Sequence, residues 1–366
     1  MEEQRYFLCV DVGGSKTAAS IADLSGNIIG RGYAGSANLA EVGGERCLVR
    51  IRQAVNQAVA ATGAAGKALT VEPPVEAEGD VCSLRFESIW VGIAGCDTAY
   101  DQRKIEPLLT KFFQRPITPM NDALLLSSHA LLTGSTHSLA LVVGTGSVII
   151  GLELQESTKP VLLCRKGGNG HLLGDHGSAY HLGVTAARMA ADDFNMDLIS
   201  TSDPTYASLC RHYGVSDPGH LPATIHEVNP SLDAITASNK RKLLISNSAA
   251  LILDAVTSRS DGSGSSTSSS DEQNLAWRVV MHCVDTLAAD IQDVVDRMRS
   301  LVGAKLTTDQ MALGMTGGII ARPVFREMLM TALGQRGIRF KDSTIIENAA
   351  DHGATSLSRA FGRRAR

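Results

Sequence analysis

The sequence predicts an α/β protein in which one unit, a mixed five-stranded sheet flanked by helices, occurs twice. Both halves contain the same order of elements: three strands, a helix, a strand, a helix, a strand and a helix. Both halves also place a Gly-rich turn directly after their first strand, at 13–14 and at 144–147. Repetition of this kind indicates an internal duplication, and alternating strands and helices favour layered sheets.

The first half, residues 1–121, is predicted from apolar runs bounded by turn residues and from the helical spacing of apolar side chains. The predicted strands cover 7–12, 17–22, 28–33, 88–94 and 117–120, and the predicted helices cover 45–62 and 101–113. A helix over 123–132 completes the repeat. Residues 63–85, rich in Gly, Pro, Glu and Ala, predict a loop or an insertion.

The second half, residues 122–366, repeats the pattern and adds a helical insertion at about 203–302. The most periodic part of this insertion is 275–302, where apolar side chains recur on one helical face. The predicted strands cover 139–143, 148–153, 161–165, 310–315 and 344–346, and the predicted helices cover 177–193, 323–333 and 349–361. The Ser-rich run at 258–274 has too few apolar side chains to bury, so it predicts a disordered loop. The last helix, 349–361, is a candidate to pack back on the first half.

Composition limits the classes of function. The chain has 366 residues, 44% of them hydrophobic, and a formal net charge of -4. This length suits two domains, and the slightly acidic balance argues against binding to nucleic acid or to a membrane surface. No apolar run approaches the length of a membrane span, and no leader is visible. Seven cysteines without a C-x-x-C pair predict reduced thiols and a cytoplasmic protein.

The turn after the first strand is a candidate phosphate site. Asp11 lies in an apolar strand, and a buried carboxylate needs a partner, often a metal ion or a metal-bound phosphate. The small and hydroxyl-bearing residues at 13–17 add backbone N–H donors suited to a phosphate. Neither a Walker A loop nor a dinucleotide-binding fingerprint fits the spacing of this stretch. A simple hairpin with a stray acid therefore stays open at this point.

Five motifs occur in order along the chain: DVGGSKT (11–17), MNDAL (120–124), VVGTGSV (142–148), GGNGHLLGDHGSAYHLG (167–183) and MTGGII (315–320). Together they resemble the actin-like ATPase superfamily, and within it the N-acetylglucosamine kinases and the related BadF/BadG/BcrA/BcrD ATPases. The resemblance implies two RNase H-like (actin-like ATPase) domains with a cleft between them that holds ATP and Mg²⁺. It also makes a homodimer plausible.

The resemblance implies roles for the Gly-rich turns and for Asp11. Asp11 is expected to hold Mg²⁺ through water, because Mg²⁺ prefers oxygen ligands and keeps several waters. Residues from both turns are expected to contact the phosphates: Gly13, Gly14, Ser15 and Thr17 from one side, and Gly144, Thr145, Gly146 and Ser147 from the other. Gly317 and Gly318 are expected to form the adenosine-side loop, with a simple strand-to-helix turn as the alternative.

The acceptor side is also implied by the resemblance. Asp122 corresponds to the catalytic base, with a helix N-cap as the alternative, since an Asp at a helix start is favoured for that reason alone. The expected sugar-binding residues are Asn38, Asn121, Asp122, Gly168, Asn169 and Asp175. Asp175 could instead cap the helix that begins near Gly177, and Asn38 could be an ordinary loop residue. The spacing of His171, His176 and His181 argues against a metal cluster there.

The expected function is an ATP-dependent kinase that phosphorylates the 6-hydroxyl of an amino sugar, with N-acetyl-D-glucosamine as the first choice. Two departures weaken that choice: Asn169 stands where the family has Trp, and His176 stands where it has an acid. Loss of an aromatic face removes an apolar wall for a sugar or an acetyl group, so glucosamine and glucose stay open. Two other classes also stay open, an ATPase that activates a redox partner and a non-catalytic sugar sensor.

Overall fold

The computed structural model describes residues 5–63, 82, 84–155, 158–227, 231–260 and 274–364. Most of the loop expected at 63–85 and of the Ser-rich run at 258–274 lies outside these described residues. In the described part of the chain, no helix combines the length and the apolar character needed to cross a membrane.

The first half forms a four-stranded mixed sheet. Its strands are β1 (Phe7–Val12), β2 (Lys16–Ala22), β3 (Ile28–Gly35) and β4 (Ser88–Ile93). The order is β3-β2-β1-β4, in which β1 pairs antiparallel with β2 and parallel with β4. In place of the fifth strand expected at 117–120, the structure has one bridge, from Met120 to Gly92. Pro116 and Pro119 lack the N–H groups that a continuous ladder needs, which explains the difference.

Two helices cover this sheet, α1 (Leu39–Ala61) and α2 (Ala99–Phe113). Helix α1 begins six residues before the predicted start at 45, because the Asn38 side chain caps it and accepts a hydrogen bond from Ala40 N at 3.0 Å. A kink at Gly43, whose φ is 76°, interrupts its first turns. Helical periodicity is lost at such a kink, so apolar spacing alone did not find the first six residues.

The junction between the halves differs from the single helix predicted at 123–132. It consists of a 3₁₀ segment (Asp122–Ser127) followed by α3 (Ser128–Thr133). This segment is wedged between the two sheets: a Cβ on Gly92 of β4 would lie 2.6 Å from the Leu125 side chain, and one on Gly314 would collide with the Leu126 carbonyl. The tighter 3₁₀ geometry, which is used in short pieces, fits a narrow space between two sheets.

The second half forms a five-stranded mixed sheet with the same connectivity. Its strands are β5 (His137–Val143), β6 (Ser147–Gln155), β7 (Lys159–Gly167), β8 (Ala312–Thr316) and β9 (Asp342–Ile345). The order is β7-β6-β5-β8-β9. As in the first sheet, the three opening strands are antiparallel and the next strand pairs parallel with the first of them. The predicted repeat is therefore present in the topology.

Seven α-helices complete the second half of the described chain: α4 (Ala179–Asn195), α5 (Pro204–Tyr213), α6 (Leu221–His226), α7 (Ala234–Ser260), α8 (Leu275–Val302), α9 (Pro323–Gln335) and α10 (Ala349–Arg364). Helix α8 presents a buried apolar face, as its spacing predicts. It packs closely on β6, where a Cβ on Gly151 would stand 2.6 Å from Met298 Sδ.

Helix α10 lies against the sheet of the first half. The rings of Phe361 and Phe7 have centroids 5.6 Å apart, and Ser20 Oγ donates to Asp351 Oδ1 at 2.6 Å. Thr355 Oγ1 donates to the Gly26 carbonyl at 3.0 Å. The chain thus enters the second half through the 3₁₀ segment and returns to the first through α10. A domain boundary at 121–122 stays a prediction.

Candidate active site

The parallel strands of both sheets end around one cavity of about 360 Å³. In sheets of this kind, ligands bind beyond the carboxyl ends of the strands. Asp11 lies near the end of β1, Asp97 follows β4, and Thr316 ends β8. The 3₁₀ segment between the sheets adds Asp122. The polar residues that line this cavity are Asp11, Asp97, Asn121, Asp122, Arg165, Thr316 and Glu347.

Asp11 is held in the middle of the first sheet, opposite Ala18 of β2 and Gly92 of β4. Burial raises the pKa of its carboxyl to about 6, the negative charge of Asp122 acts in the same direction, and Lys16 opposes both. Desolvation and a like charge both disfavour the ionised form. A cation bound in the cavity would relieve that cost, so the chemistry of the residues fits a metal ion.

Asp122 begins the 3₁₀ segment, but Asn121 occupies the N-cap position. Asn121 Oδ1 accepts from Ala123 N at 2.9 Å, and Asp122 Oδ1 accepts from the same N–H at 3.0 Å. Burial raises the pKa of Asp122, the Ala123 N–H lowers it, and Asp97 raises it. Asn121 therefore holds the cap position, and Asp122 accepts from the same backbone N–H while it lines the cavity.

The first Gly-rich turn is tight and partly open to solvent. Gly13 N donates to the Lys16 carbonyl at 2.9 Å, and a Cβ added at Gly14 would meet nothing within 4 Å. Ser15 is exposed in this turn. Thr17 is fully buried, and its hydroxyl donates to the Gly35 carbonyl at 2.9 Å. The Thr17 hydroxyl therefore donates its proton within the sheet, whereas the prediction had it donating to a phosphate.

The second Gly-rich turn is anchored to the start of α4. Gly144 N donates to the Gly146 carbonyl at 2.9 Å, and Ala179 N donates to the Gly144 carbonyl at 2.8 Å. Thr145 is exposed at the tip of the turn. Ser147 is buried, and its hydroxyl donates to the His176 carbonyl at 2.7 Å, so this proton is also committed within the protein.

The Gly317 loop lies beside this second turn. Gly317 has a φ of 114°, and a Cβ there would collide with the Val143 carbonyl. A Cβ on Gly144 would lie 4.0 Å from Gly317 Cα and from Gly318 N. The structure thus brings together two of the three loops predicted to contact the nucleotide, and glycine is required at Gly317 by both conformation and space.

The predicted sugar residues are not all in the cavity. Asn38, Gly168, Asn169 and Asp175 are absent from its lining, whereas Asn121 and Asp122 are present. Asn38 caps α1 beside the end of β4, and Asn169 is exposed in the loop after β7. Ser178, whose Oγ accepts from His181 N at 3.2 Å, caps α4, so Asp175 does not serve as that cap.

Asp175 lies behind the second Gly-rich turn. It is 5% exposed and has a φ of 60°. A Cβ on Gly146 would stand 2.6 Å from Asp175 Oδ2, and Asp175 Oδ1 has no hydrogen-bond partner among the residues that the structure describes. The structure therefore places this buried acid next to a predicted phosphate turn. Its predicted contact with the sugar stays a prediction.

The model of the BadF/BadG/BcrA/BcrD ATPase family matches residues 8–214. The chain belongs to this family. Membership confirms the predicted family, and the matched residues contain the first four of the five motifs. It also implies ATP as the nucleotide.

Two curated relatives of this family member are kinases. This chain is 26% identical over 192 residues to the N-acetylmuramic acid/N-acetylglucosamine kinase of Clostridium acetobutylicum. The aligned region covers 52% of this chain and 55% of that protein. This chain is 25% identical over 187 residues to the N-acetyl-D-glucosamine kinase of Dictyostelium discoideum. This aligned region covers 50% of this chain and 54% of that protein. The match therefore spans about half the length of each relative.

Two solved structures share the fold of this family member. A crystal structure described as a candidate N-acetylglucosamine kinase, from Porphyromonas gingivalis, has a TM-score of 0.56 at 15% identity and covers 98% of this chain and 100% of that one. A second crystal structure, also described as a candidate N-acetylglucosamine kinase, comes from Chromobacterium violaceum. It has a TM-score of 0.52 at 18% identity, and the match covers 97% of this chain and 99% of that one. The predicted fold of paired mixed sheets flanked by helices is confirmed.

The sequence patterns assigned no role to three charged residues that line the cavity of this BadF/BadG/BcrA/BcrD family member: Asp97, Arg165 and Glu347. Asp97 lies four residues after the end of β4, which pairs parallel with β1, and that position was a signal available in the sequence. Arg165 and Glu347 come from β7 and from the residues after β9, which reach the cavity only through the packing of the two sheets.

His176 is not among the residues that line the cavity of this ATPase-family protein. Its Nδ1 lies 2.7 Å from Asp290 Oδ2, and Lys166 forms ion pairs with Asp290 and Asp293. Across the described ranges, no group of three or more His, Cys, Asp or Glu side chains could hold a metal ion. A Mg²⁺ ion held by one carboxylate, water and nucleotide phosphates does not require such a group.

Proposed function

We propose that this protein is an ATP-dependent sugar kinase that transfers the γ-phosphate to the 6-hydroxyl of an amino sugar. N-Acetyl-D-glucosamine, giving N-acetylglucosamine 6-phosphate, is the proposed acceptor. The observation that carries the proposal is the cavity that Asp11 and Asp122 share. A Gly-rich turn also follows the first strand of each sheet. The names of both curated relatives support a sugar acceptor.

Asp11 is the proposed metal-side residue. The cavity holds four carboxylates against one described guanidinium, and this excess of negative charge favours a bound cation. Mg²⁺ suits oxygen ligands and would neutralise charge on the phosphates when bound. Asp11 would hold this ion through water. The backbone N–H groups of the two Gly-rich turns, other than those of Gly13 and Gly144, would bind phosphate oxygens.

Asp122 is the proposed general base. A sugar hydroxyl is a poor nucleophile, and a carboxylate that accepts its proton during transfer lowers the barrier. Burial raises the pKa of Asp122, which makes the carboxylate a stronger base than an exposed one. Asn121 fixes the backbone next to it through its bond to Ala123 N, so the base is held on a rigid segment.

The acceptor is the part of the proposal that needs a direct comparison. A coupled assay of ADP release should be run with N-acetylglucosamine, N-acetylmuramic acid, glucosamine and glucose. We expect N-acetylglucosamine to give the largest kcat/KM, and mass spectrometry of the product should show a phosphate on the 6-oxygen. If no sugar stimulates ADP release, the kinase proposal is wrong. If glucose or glucosamine is preferred, only the acceptor is wrong.

A further inference from the structure

Arg165 is the only cation among the described residues that line the candidate cavity. The other charged groups there are the carboxylates of Asp11, Asp97, Asp122 and Glu347. Arg165 belongs to β7 of the second sheet, opposite Ile150 of β6. Its position therefore allows one guanidinium to contact groups from both halves of the protein.

The guanidinium first binds the loop that follows its own strand. Arg165 Nη2 donates to the Gly168 carbonyl at 2.8 Å, and Nε donates to the Gly167 carbonyl at 3.2 Å. Gly167 and Gly168 have φ values of 77° and 68°, and a Cβ on Gly168 would collide with Arg165 Nη2. The planar fork of an arginine suits two neighbouring acceptors, which a lysine cannot reach together.

The same guanidinium reaches the first half. Arg165 Nη1 lies 3.4 Å from Asp97 Oδ1, and Asn121 Nδ2 donates to that same oxygen at 2.9 Å. Asn121 in turn caps the segment that begins with Asp122. A continuous path of hydrogen bonds therefore joins the loop at 167–170 to the residue next to the proposed base.

This path is poorly suited to stabilising the fold. The side chains of Arg165 and Asp97 are 38% and 47% exposed. Exposed ion pairs contribute only about 0–1 kcal/mol to stability, because water screens them. An exposed pair across a cleft can form and break at low cost, which suits a contact that positions a loop better than one that holds the fold together.

We propose that Arg165 is a positioning residue that holds the loop at 167–170 against the Asn121–Asp122 segment, with Asp97 as its partner across the cleft. For turnover, this inference rests on the proposed kinase function. The loop would then adopt its acceptor-binding position only while the pair is formed. Arg165 would act on acceptor binding and much less on ATP.

The first test is kinetic. R165Q should raise KM for the sugar by about tenfold to a hundredfold, the range expected for loss of hydrogen bonds to a charged group. KM for ATP should change less than threefold, about the scatter expected of uninvolved sites. R165K should recover only part of the effect. K166Q is the matched control, since Lys166 is the next residue and pairs instead with Asp290 and Asp293.

The second test does not need activity. Hydrogen–deuterium exchange of the apo protein should be faster over 166–171 in R165Q, and also in D97N, whose substitution lies in the other half. The double variant should resemble R165Q alone. If D97N leaves exchange in this loop unchanged, Arg165 acts only within its own loop and the inference is wrong. If no sugar stimulates ADP release by the wild type, the kinase proposal fails. The exchange experiment still decides whether Asp97 and Arg165 together hold the loop at 167–170.

Discussion

The carboxylates of Asp11 and Asp122 face one cavity although they come from different structural elements, a central strand and the segment between the sheets. Burial, and after it the charge of Asp122, raise the pKa of Asp11 to about 6. Because this value lies above the ordinary value of 3.8, ionised Asp11 destabilises the apo fold above about pH 6. The cost disappears as the pH falls below 3.8. A residue placed so unfavourably for stability is typical of a functional site.

Asp11→Asn should therefore stabilise the apo protein at pH 7.5 and abolish turnover. The expected gain is on the order of 1–3 kcal/mol, because one pKa unit corresponds to about 1.4 kcal/mol. Thermal unfolding without nucleotide at pH 7.5 and pH 4.5 measures the gain, which should shrink at the lower pH. A lower melting temperature for the variant at pH 7.5 would contradict this account of Asp11.

Asp122→Asn should lower kcat by about 10²–10⁴-fold, the usual contribution of a general base. Nucleotide affinity should remain within a factor of a few, because the Gly-rich turns are untouched. Steady-state kinetics and calorimetric titration with an ATP analogue measure the two quantities. Asp296→Asn, an exposed acid of α8 paired with Arg299, is the control and should behave as the wild type. Near-normal turnover in Asp122→Asn would exclude the residue as the base.

Gly146→Ala should weaken nucleotide binding about tenfold or more, since forcing extra atoms into packed structure costs about 1–3 kcal/mol. The new Cβ would stand 2.6 Å from Asp175 Oδ2, so the turn or the buried acid must shift. Gly334→Ala is the control, because a Cβ at this helical site meets nothing within 4 Å. That change should stabilise the protein slightly. Unchanged ATP affinity in Gly146→Ala would argue against a phosphate-binding role for the turn.

His352→Gln should reduce the loss of stability in mild acid. Burial lowers the pKa of His352 to about 4, and the neighbouring His129 and Arg359 act in the same direction. Because the folded-state value lies below the ordinary value of 6.5, the unfolded chain binds the proton first. Stability is therefore full above pH 6.5 and falls as the pH drops towards 4.

The measurement is the difference in melting temperature between pH 7.5 and pH 4.5. Glutamine keeps a hydrogen-bonding group near Ser128 Oγ, which lies 2.7 Å from His352 Nδ1. The decrease should be smaller in the variant than in the wild type. Asp11 acts in the opposite direction over part of this range but is common to both proteins, so it cancels in the comparison. An equal decrease in both would show that His352 does not control acid stability.

Local sequence determined the repeated elements, because apolar periodicity and turn residues act over a few neighbouring positions. The first three strands, the Gly-rich turns and the long helix α8 follow from such patterns. The five motifs also led to the family, to Asp11 and to Asp122. Neighbouring residues could not determine how the junction segment packs, so its 3₁₀ form and the single bridge at Met120 were missed.

Only the tertiary structure decided which of these side chains meet. Thr17 and Ser147 share the pattern of phosphate-binding hydroxyls. In the structure, however, the Thr17 hydroxyl donates to the Gly35 carbonyl, and the Ser147 hydroxyl donates to the His176 carbonyl. Asp97, Asn121 and Arg165 come from three separate elements and form one hydrogen-bonded path. Their contact depends on how two sheets pack across a cleft, and that packing is a sum of many long-range interactions that no local pattern encodes.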